Sequence, residues 1–167
     1  GNGNESVFEF DEYGKMMKYT RSTGNISLFD WDVNHNLSSR TDPKGRVSDY
    51  EYDGRGNVTS IKRADGTETT IEWHEEYKRP TMITDAAGNS RMYMYDENGN
   101  LIRVTNEIGA EENYEYNDKG QIIEVTDELG YKTTFEYDVY GNLIKVEDAL
   151  GNVTEMEYDD YGNRIKI

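Results

Sequence analysis

Eight aromatic residues recur along the chain at an almost constant interval, and this period restricts the fold more than any other feature. Successive aromatics are 21 residues apart, except for one interval of 22. A fixed period of this length is typical of a protein built from one small structural unit repeated in series. We therefore predict about eight repeats, which begin near the structural aromatics Phe10, Trp31, Tyr52, Trp73, Tyr95, Tyr116, Tyr137 and Tyr158.

Glycines at two positions of the repeat mark turns. One lies four residues after the aromatic, and the other lies 14 residues after it, or 15 in the longer repeat. Aspartate can hydrogen-bond its own backbone at the start of a type I turn, and glycine takes the left-handed position that follows. Such turns close hairpins through short loops with a bulge. The predicted turn glycines are Gly14, Gly24, Gly45, Gly56, Gly66, Gly88, Gly99, Gly109, Gly120, Gly130, Gly141, Gly151 and Gly162.

Between the turns the sequence alternates with a period of two. Bulky residues flank an acid before the turn, as in Tyr50-Glu51-Tyr52, and aliphatic residues alternate with charged ones after it. This period places alternate side chains on opposite faces of a strand. We predict an all-β fold, a continuous antiparallel hairpin ribbon with one charged face and one apolar face. The aliphatic pairs of the apolar face are Ile102 and Val104, Ile123 and Val125, Ile144 and Val146, and Ile165 and Ile167.

The charge and the composition exclude several classes of partner. The chain has 34 acidic and 18 basic residues and a net charge of -16, which would repel nucleic acids and anionic membranes. No apolar run approaches the ~20 residues of a membrane span, so we expect no membrane insertion. Cysteine is absent, which removes disulfides and thiolate metal sites. The chain also opens without a leader segment, and we interpret it as an excerpt, residues 1–167, of a longer repeat protein.

Candidate sites have simpler explanations within the repeat. His35 occupies a turn-glycine position, and residues 73–80 contain an extra residue but no glycine, which indicates a longer turn. The two histidines, His35 and His74, lack metal-ligand spacing. The acids recur with the repeat and therefore indicate a solvated strand face, so we predict no catalytic residue and no metal site. Residues 96–100 resemble part of a calcium loop, which leaves weak calcium binding as an alternative to no cofactor.

The repeat closely resembles the YD repeat of Rhs proteins, wall-associated bacterial toxins, Tc toxin shell components and teneurins. The resemblance covers nearly the whole chain. It is carried by both halves of the repeat, in residues 52–58, 95–101, 137–143 and 158–163 and, for the second turn, in residues 41–45 and 125–130. In that family the repeats form a β-ribbon that spirals into a hollow shell around a C-terminal toxin. The family's autoprotease region has no counterpart here, since residues 42–45 form a single ordinary turn motif.

The resemblance implies a non-catalytic segment of a toxin-enclosing shell in a protein that is secreted or exposed at the bacterial cell surface. Its partners would be the rest of the parent shell and the enclosed toxin domain. A surface adhesion or glycan-binding module is the main alternative, in which the tyrosines would face outward to a cell-surface glycan. A choline- or glucan-binding array fits less well, since those repeats have adjacent aromatics. Because a single-layer ribbon leaves an apolar face open, we also expect the isolated segment to close on itself or to self-associate.

Overall fold

The computed structural model describes residues 5–166, in which all regular secondary structure is β-strand. No stretch of this range forms a helix that could span a membrane. Contacts divide the chain into two units, residues 1–90 and 91–167. One prediction reaches outside the described residues, since Ile167 was expected to share a face with Ile165 and lies beyond residue 166.

The first unit is a meander in which every strand is antiparallel to the next. Two kinds of strand alternate. An aromatic strand ends at a repeat aromatic, and a return strand follows the turn after it. The strands are β1 (Val7–Phe10), β2 (Met16–Thr20), β3 (Ile26–Trp31), β4 (Leu37–Thr41), β5 (Val47–Tyr52), β6 (Val58–Lys62), β7 (Glu68–Trp73) and β8 (Pro80–Thr84).

The second unit repeats this pattern. Its strands pair in sequence order, and a short hairpin at the end forms a sheet of its own. They are β9 (Ser90–Tyr95), which starts at the boundary, β10 (Leu101–Thr105), β11 (Glu111–Tyr116), β12 (Ile122–Thr126), β13 (Lys132–Tyr137), β14 (Leu143–Glu147), β15 (Val153–Glu155), β16 (Glu157–Tyr158) and β17 (Arg164–Lys166). The predicted all-β antiparallel hairpin ribbon is confirmed.

Two kinds of turn connect the strands, and they share one geometry. We call the turn after a repeat aromatic the aromatic turn and the other the inner turn. In the aromatic turn at residues 53–57, the Gly56 amide donates to the Asp53 carbonyl at 3.0 Å and the Asp53 amide donates to the Asn57 carbonyl at 2.9 Å. The thirteen glycines at this turn position have φ between 75° and 93°. This is a type I turn closed by a glycine bulge, the geometry that three-residue hairpin loops favour.

A second bulge lies in each return strand, opposite the repeat aromatic, and was not evident from the sequence. Between β5 and β6, Glu51 pairs with Ser60 but Tyr52 pairs with Val58, so Thr59 is an extra residue. The same register shift occurs at each aromatic strand and return strand pair. Such bulges increase the local right-handed twist of the pair.

The register confirms the two faces of the ribbon. Bulky residues lie opposite aliphatic ones, as in the pairs Tyr50↔Ile61, Ile71↔Ile83 and Phe135↔Val146. Most acids on the other face lie opposite charged or polar residues, as in Glu136↔Lys145, whereas Glu72 lies opposite Met82. These cross-strand pairs are the main side-chain contribution to the stability of a sheet.

Burial in the described range is shallow on both faces. No side chain there is completely enclosed, and Met156, at 9% exposure, is the one apolar residue that is buried. Most residues of the apolar face are half-buried, since they lie against cross-strand neighbours but have no second layer above them. Hydrogen bonds and strand pairing therefore contribute more to order than an enclosed core does.

Candidate functional site

Repeat aromatics bind the backbone of the preceding repeat. The Trp31 indole N–H donates to the Met16 carbonyl at 2.9 Å, and the Tyr52 hydroxyl donates to the Leu37 carbonyl at 2.9 Å. In each case the acceptor lies fifteen residues earlier and is the first residue of a return strand. The same bond joins Trp73 to Val58, Tyr116 to Leu101, Tyr137 to Ile122 and Tyr158 to Leu143, at 2.7–2.9 Å.

This bond lies where two neighbouring strands separate. The ladder between β6 and β7 covers three residue pairs beside the inner turn, from Lys62↔Glu68 to Ser60↔Thr70. The Trp73 side chain reaches Val58 beyond the end of this ladder. Where no ladder hydrogen bond joins these two strands, the aromatic side chain therefore provides its ring and one hydrogen bond. Sequence reasoning placed these aromatics on the apolar face but missed the bond, although Tyr and Trp, which share a ring donor, fill every repeat position except Phe10.

A side-chain carboxylate stabilises most turns. In the aromatic turn at residues 138–142, Asp138 Oδ1 accepts the amides of Tyr140 and Asn142 at 2.9 and 2.8 Å. Asp138 Oδ2 accepts the Asn142 side-chain amide at 2.8 Å. The bond from the Asn142 side chain is the main cause that holds the pKa of Asp138 below its usual value of 3.8. In the inner turn at residues 42–46, the side chain of Arg46 is the main cause that lowers the pKa of Asp42 to about 2.

The last residue of several aromatic turns lies against the next aromatic turn. The Gln121 side chain donates to the Gly141 carbonyl at 2.9 Å. Asn36 approaches Gly56 in the same way, since a Cβ on Gly56 would lie 3.5 Å from Asn36 Oδ1. Asn57 is only 5% exposed, and its side-chain amide donates to Asp53 at 2.8 Å. Neighbouring aromatic turns therefore contact one another through a row of amides.

The histidines take the place of repeat residues. His35 has φ of 64°, the one positive value of a non-glycine residue in the described range, and its ring lies 5.0 Å from that of Tyr13. His74 takes the place of the turn aspartate, and its Nδ1 accepts the amides of Glu76 and Tyr77 at 3.2 and 3.3 Å. The His74 amide bonds the carbonyl of Arg79, which is five residues later rather than four. The structure thus has the longer turn that the sequence indicated.

Acids of the charged face are ion-paired with lysines across the strands. Lys145 Nζ lies 2.9 Å from Glu136 on the neighbouring strand and 3.3 Å from Glu147 on its own strand. One like-charged pair, Glu115↔Glu124, lies directly opposite, and Lys132 neutralises it by binding Glu124. Within residues 5–166 no three acidic or histidine side chains are grouped to hold a metal ion. At the calcium-like turn, Asp96 already accepts the amides of Asn98 and Asn100 and the Asn100 side chain.

Several clefts in the described range are open to solvent. One cleft of about 770 Å³ in the second unit lies between two aromatic turns and is lined by Asp138, Tyr140, Glu157, Tyr158 and other residues. Tyr140 and Tyr161, at the tips of these turns, are 89% and 91% exposed. Aromatic rings beside acids can bind sugars or cations. The repeat Tyr and Trp residues, in contrast, use their ring donors in the backbone bonds described above.

Comparison with known proteins agrees with the repeat geometry. The model of the RHS repeat matches residues 31–69, 116–146 and 137–167, which together make up more than half of the chain. The chain belongs to the RHS repeat family. No curated protein gives a significant match.

Solved structures share the fold of this RHS repeat chain. A crystal structure of TcdB2-TccC3-Cdc42 matches with a TM-score of 0.76 and 17% identity. A Tc holotoxin pore of Photorhabdus luminescens with a mutated TccC3 matches at 0.76 and 18%, and TcdB2-TccC3 without its hypervariable C-terminal region matches at 0.75 and 18%. Each match covers 96% of this chain but 10% of the other chain. The RHS repeats described here thus correspond to about a tenth of those chains.

Proposed function

We propose that this chain is a non-catalytic structural segment of an RHS-repeat shell that encloses a C-terminal toxin in a secreted or surface-exposed bacterial protein. In this function the repeats build a wall, and their partners are further repeats of the parent protein and the enclosed domain. The proposal includes the whole of residues 1–167 as one repeat array.

The repeated bond from each aromatic to the return strand fifteen residues earlier carries this proposal. Because six repeat aromatics bind the repeat before them in the same way, this geometry can extend through further repeats without a new kind of contact. The side chains that recur most regularly, the Tyr or Trp and the turn Asp, are used in these internal bonds. These side chains stabilise the repeats and are not gathered in one cavity, which favours a structural function over catalysis.

The test uses the full parent protein with its C-terminal domain. Replacing Tyr116 and Tyr137 by Ala removes two successive backbone bonds. We expect the C-terminal domain to resist protease in the wild type and to be digested faster in this double variant. The control is Tyr140→Ala, which changes an exposed tip. If the domain is digested as fast in the wild type as when it is free, or if the repeats end in a wall or membrane anchor, the shell function is wrong.

A surface adhesion module is the second candidate, and the cleft beside Tyr140 and Tyr161 favours it. Two exposed rings flank polar and acidic groups there, a combination that sugar-binding sites use. Titration of the chain with soluble cell-wall saccharides should then produce heat or a change in tyrosine fluorescence that the Tyr140→Ala, Tyr161→Ala double variant lacks. Equal signals from both proteins would exclude the cleft as a glycan site.

A further inference from the structure

Three successive inner turns of the second unit present large aliphatic residues at their tips. Ile108, Leu129 and Leu150 are 83%, 80% and 85% exposed. Each occupies the position just before the turn glycine, and each uses its backbone amide to bond the first residue of its turn, at 2.9–3.1 Å. The turn bonds use the backbone amides, and the aliphatic side chains remain largely exposed. We call these three residues the tip row.

The turn geometry does not require apolar residues at this position. The equivalent residues of the first unit are Thr23, Lys44, Asp65 and Ala87, which build the same turn. Tips of type I turns usually carry small or polar residues, since an exposed aliphatic side chain gains nothing from water. Three aliphatic tips in succession therefore indicate a partner for this edge.

The spacing of the tip row selects the kind of partner. Consecutive inner turns are two strands apart, which corresponds to about 9.4–9.8 Å. Residues seven apart on an α-helix are about 10.5 Å apart and share a face. An extended strand matches less well, because its same-face residues are about 6.6 or 13 Å apart. A helix with apolar residues at every seventh position can therefore contact all three tips.

The negative charge beside the tips indicates which residues should flank the apolar stripe of that helix. Exposed acids adjoin the tips, namely Glu107 before Ile108 and both Asp127 and Glu128 before Leu129. Glu128 Oε1 accepts the Asn106 side-chain amide at 2.7 Å, so it lies between the first two tips. The nearby cation Lys132 is ion-paired with Glu124. Basic residues beside the apolar stripe of the helix would neutralise the acids of this edge.

We propose that the tip row, Ile108, Leu129 and Leu150, is a docking surface for a basic amphipathic helix with apolar residues at seven-residue spacing. This interaction goes beyond the shell function and does not depend on it, since a repeat segment with any function would present the same edge. The helix lies across the tips, with its apolar stripe on the three side chains and its basic residues toward Glu107, Asp127 and Glu128.

A designed peptide tests this surface on the chain as it exists. The probe is a helical peptide of alanine and lysine with leucine at three positions seven residues apart. The control peptide has the same composition, with the leucines distributed around the helix. We expect binding of the probe by calorimetry and a weakening of at least about thirtyfold in the Ile108→Thr, Leu129→Thr, Leu150→Thr variant, because three apolar contacts are lost.

A control variant tests whether the peptide binds this edge rather than exposed apolar residues in general. Val33→Thr with Val139→Thr changes two valines that are 95% and 79% exposed at aromatic turns, and it should leave the affinity unchanged. Circular dichroism checks that each variant keeps the wild-type strand content. Equal affinity for the two peptides, or undiminished binding by the triple variant, would overturn the proposal. It is also overturned if the triple substitution alone abolishes self-association, because a second copy would then be the occupant.

Discussion

Tyr and Trp are interchangeable in the repeat because both combine a large ring with one N–H or O–H donor. Trp31 and Tyr52 reach equivalent carbonyls, those of Met16 and Leu37, at the same distance of 2.9 Å. Phenylalanine would supply the ring but leave the carbonyl without this donor. Phe10 is the one repeat aromatic without such a donor.

The first prediction separates the donor from the ring at Tyr137. Tyr137→Phe removes the 2.9 Å bond to the Ile122 carbonyl, and we expect it to lower the free energy of unfolding by about 1 kcal/mol. Tyr137→Trp should lose less, since Trp occupies this position in other repeats. Urea unfolding measures both. Tyr140→Phe, at an exposed tip, is the control and should be neutral. A Phe variant as stable as the wild type would show that the hydroxyl contributes nothing.

The second prediction concerns two glycines of one turn. Gly56 has φ of 79°, whereas Gly54 lies outside the left-handed region. No atom lies within 4 Å of the position that a Cβ on Gly54 would take. Gly56→Ala should therefore destabilise the chain by about 1 kcal/mol, while Gly54→Ala should be neutral or slightly stabilising. Thermal unfolding distinguishes the two variants. His35, which tolerates a φ of 64° at the equivalent position, shows that the cost is modest rather than prohibitive. Equal effects of the two substitutions would contradict the argument.

At the scale of the element, the hairpin turn is the unit that responds to pH. Turn carboxylates accept backbone and side-chain donors, and these bonds keep the pKa of Asp138 below 3.8, mainly through Asn142. A lowered pKa in the folded state means that the unfolded chain binds more protons on acidification. The stability that the carboxylate contributes is therefore fully present above about pH 4. It is lost as the pH falls through the folded pKa.

The third prediction uses Asn as a neutral substitute for a turn aspartate. Asn106 and Asn117 already begin turns in this chain, where their side-chain oxygens accept the same backbone amides. Asp138→Asn should keep the turn but remove its share of the pH dependence. Urea unfolding between about pH 5 and pH 2.5 should thus show a flatter stability curve for the variant than for the wild type. Parallel curves would mean that Asp138 does not contribute to the acid response.

Some features of the strands and turns follow from nearby residues in the sequence, and others do not. The alternation in Tyr50-Glu51-Tyr52 and the glycine of each turn predicted strands, turns and faces, because they act within a few residues. The bulge at Thr59 was not predictable in this way. It depends on how the return strand pairs with a neighbour that the alternating pattern does not specify. The row of amides at Asn36 and Gln121 depends on the distance between turns about 20 residues apart.

At the scale of the molecule, the described residues have half-buried apolar side chains and no enclosed core. The first strand is an exposed edge. Phe8 and Phe10 are exposed, and β1 pairs with β2 on one side while no strand of the described range lies on the other. An exposed apolar edge strand is a template for pairing with another chain.

The fourth prediction follows from this edge. The chain should self-associate as its concentration rises, and Phe8→Lys with Phe10→Lys should shift it toward the monomer in sedimentation velocity experiments, because lysine on an edge strand opposes pairing. Val33→Lys with Val139→Lys adds the same charge at turn tips and should have a smaller effect. A wild-type chain that stays monomeric at all concentrations, or equal effects of the two double variants, would contradict this mode of association.

The sequence by itself determined the repeat period, the strands, the turns and the two faces of the ribbon. These features follow from torsion preferences and alternation, which act between residues close in the chain. Only the tertiary structure decided which carbonyl each repeat aromatic binds, where the second bulge lies and which side chains stay exposed at the turn tips. Those outcomes depend on register between strands, and register is set by pairing across the ribbon rather than by any local pattern.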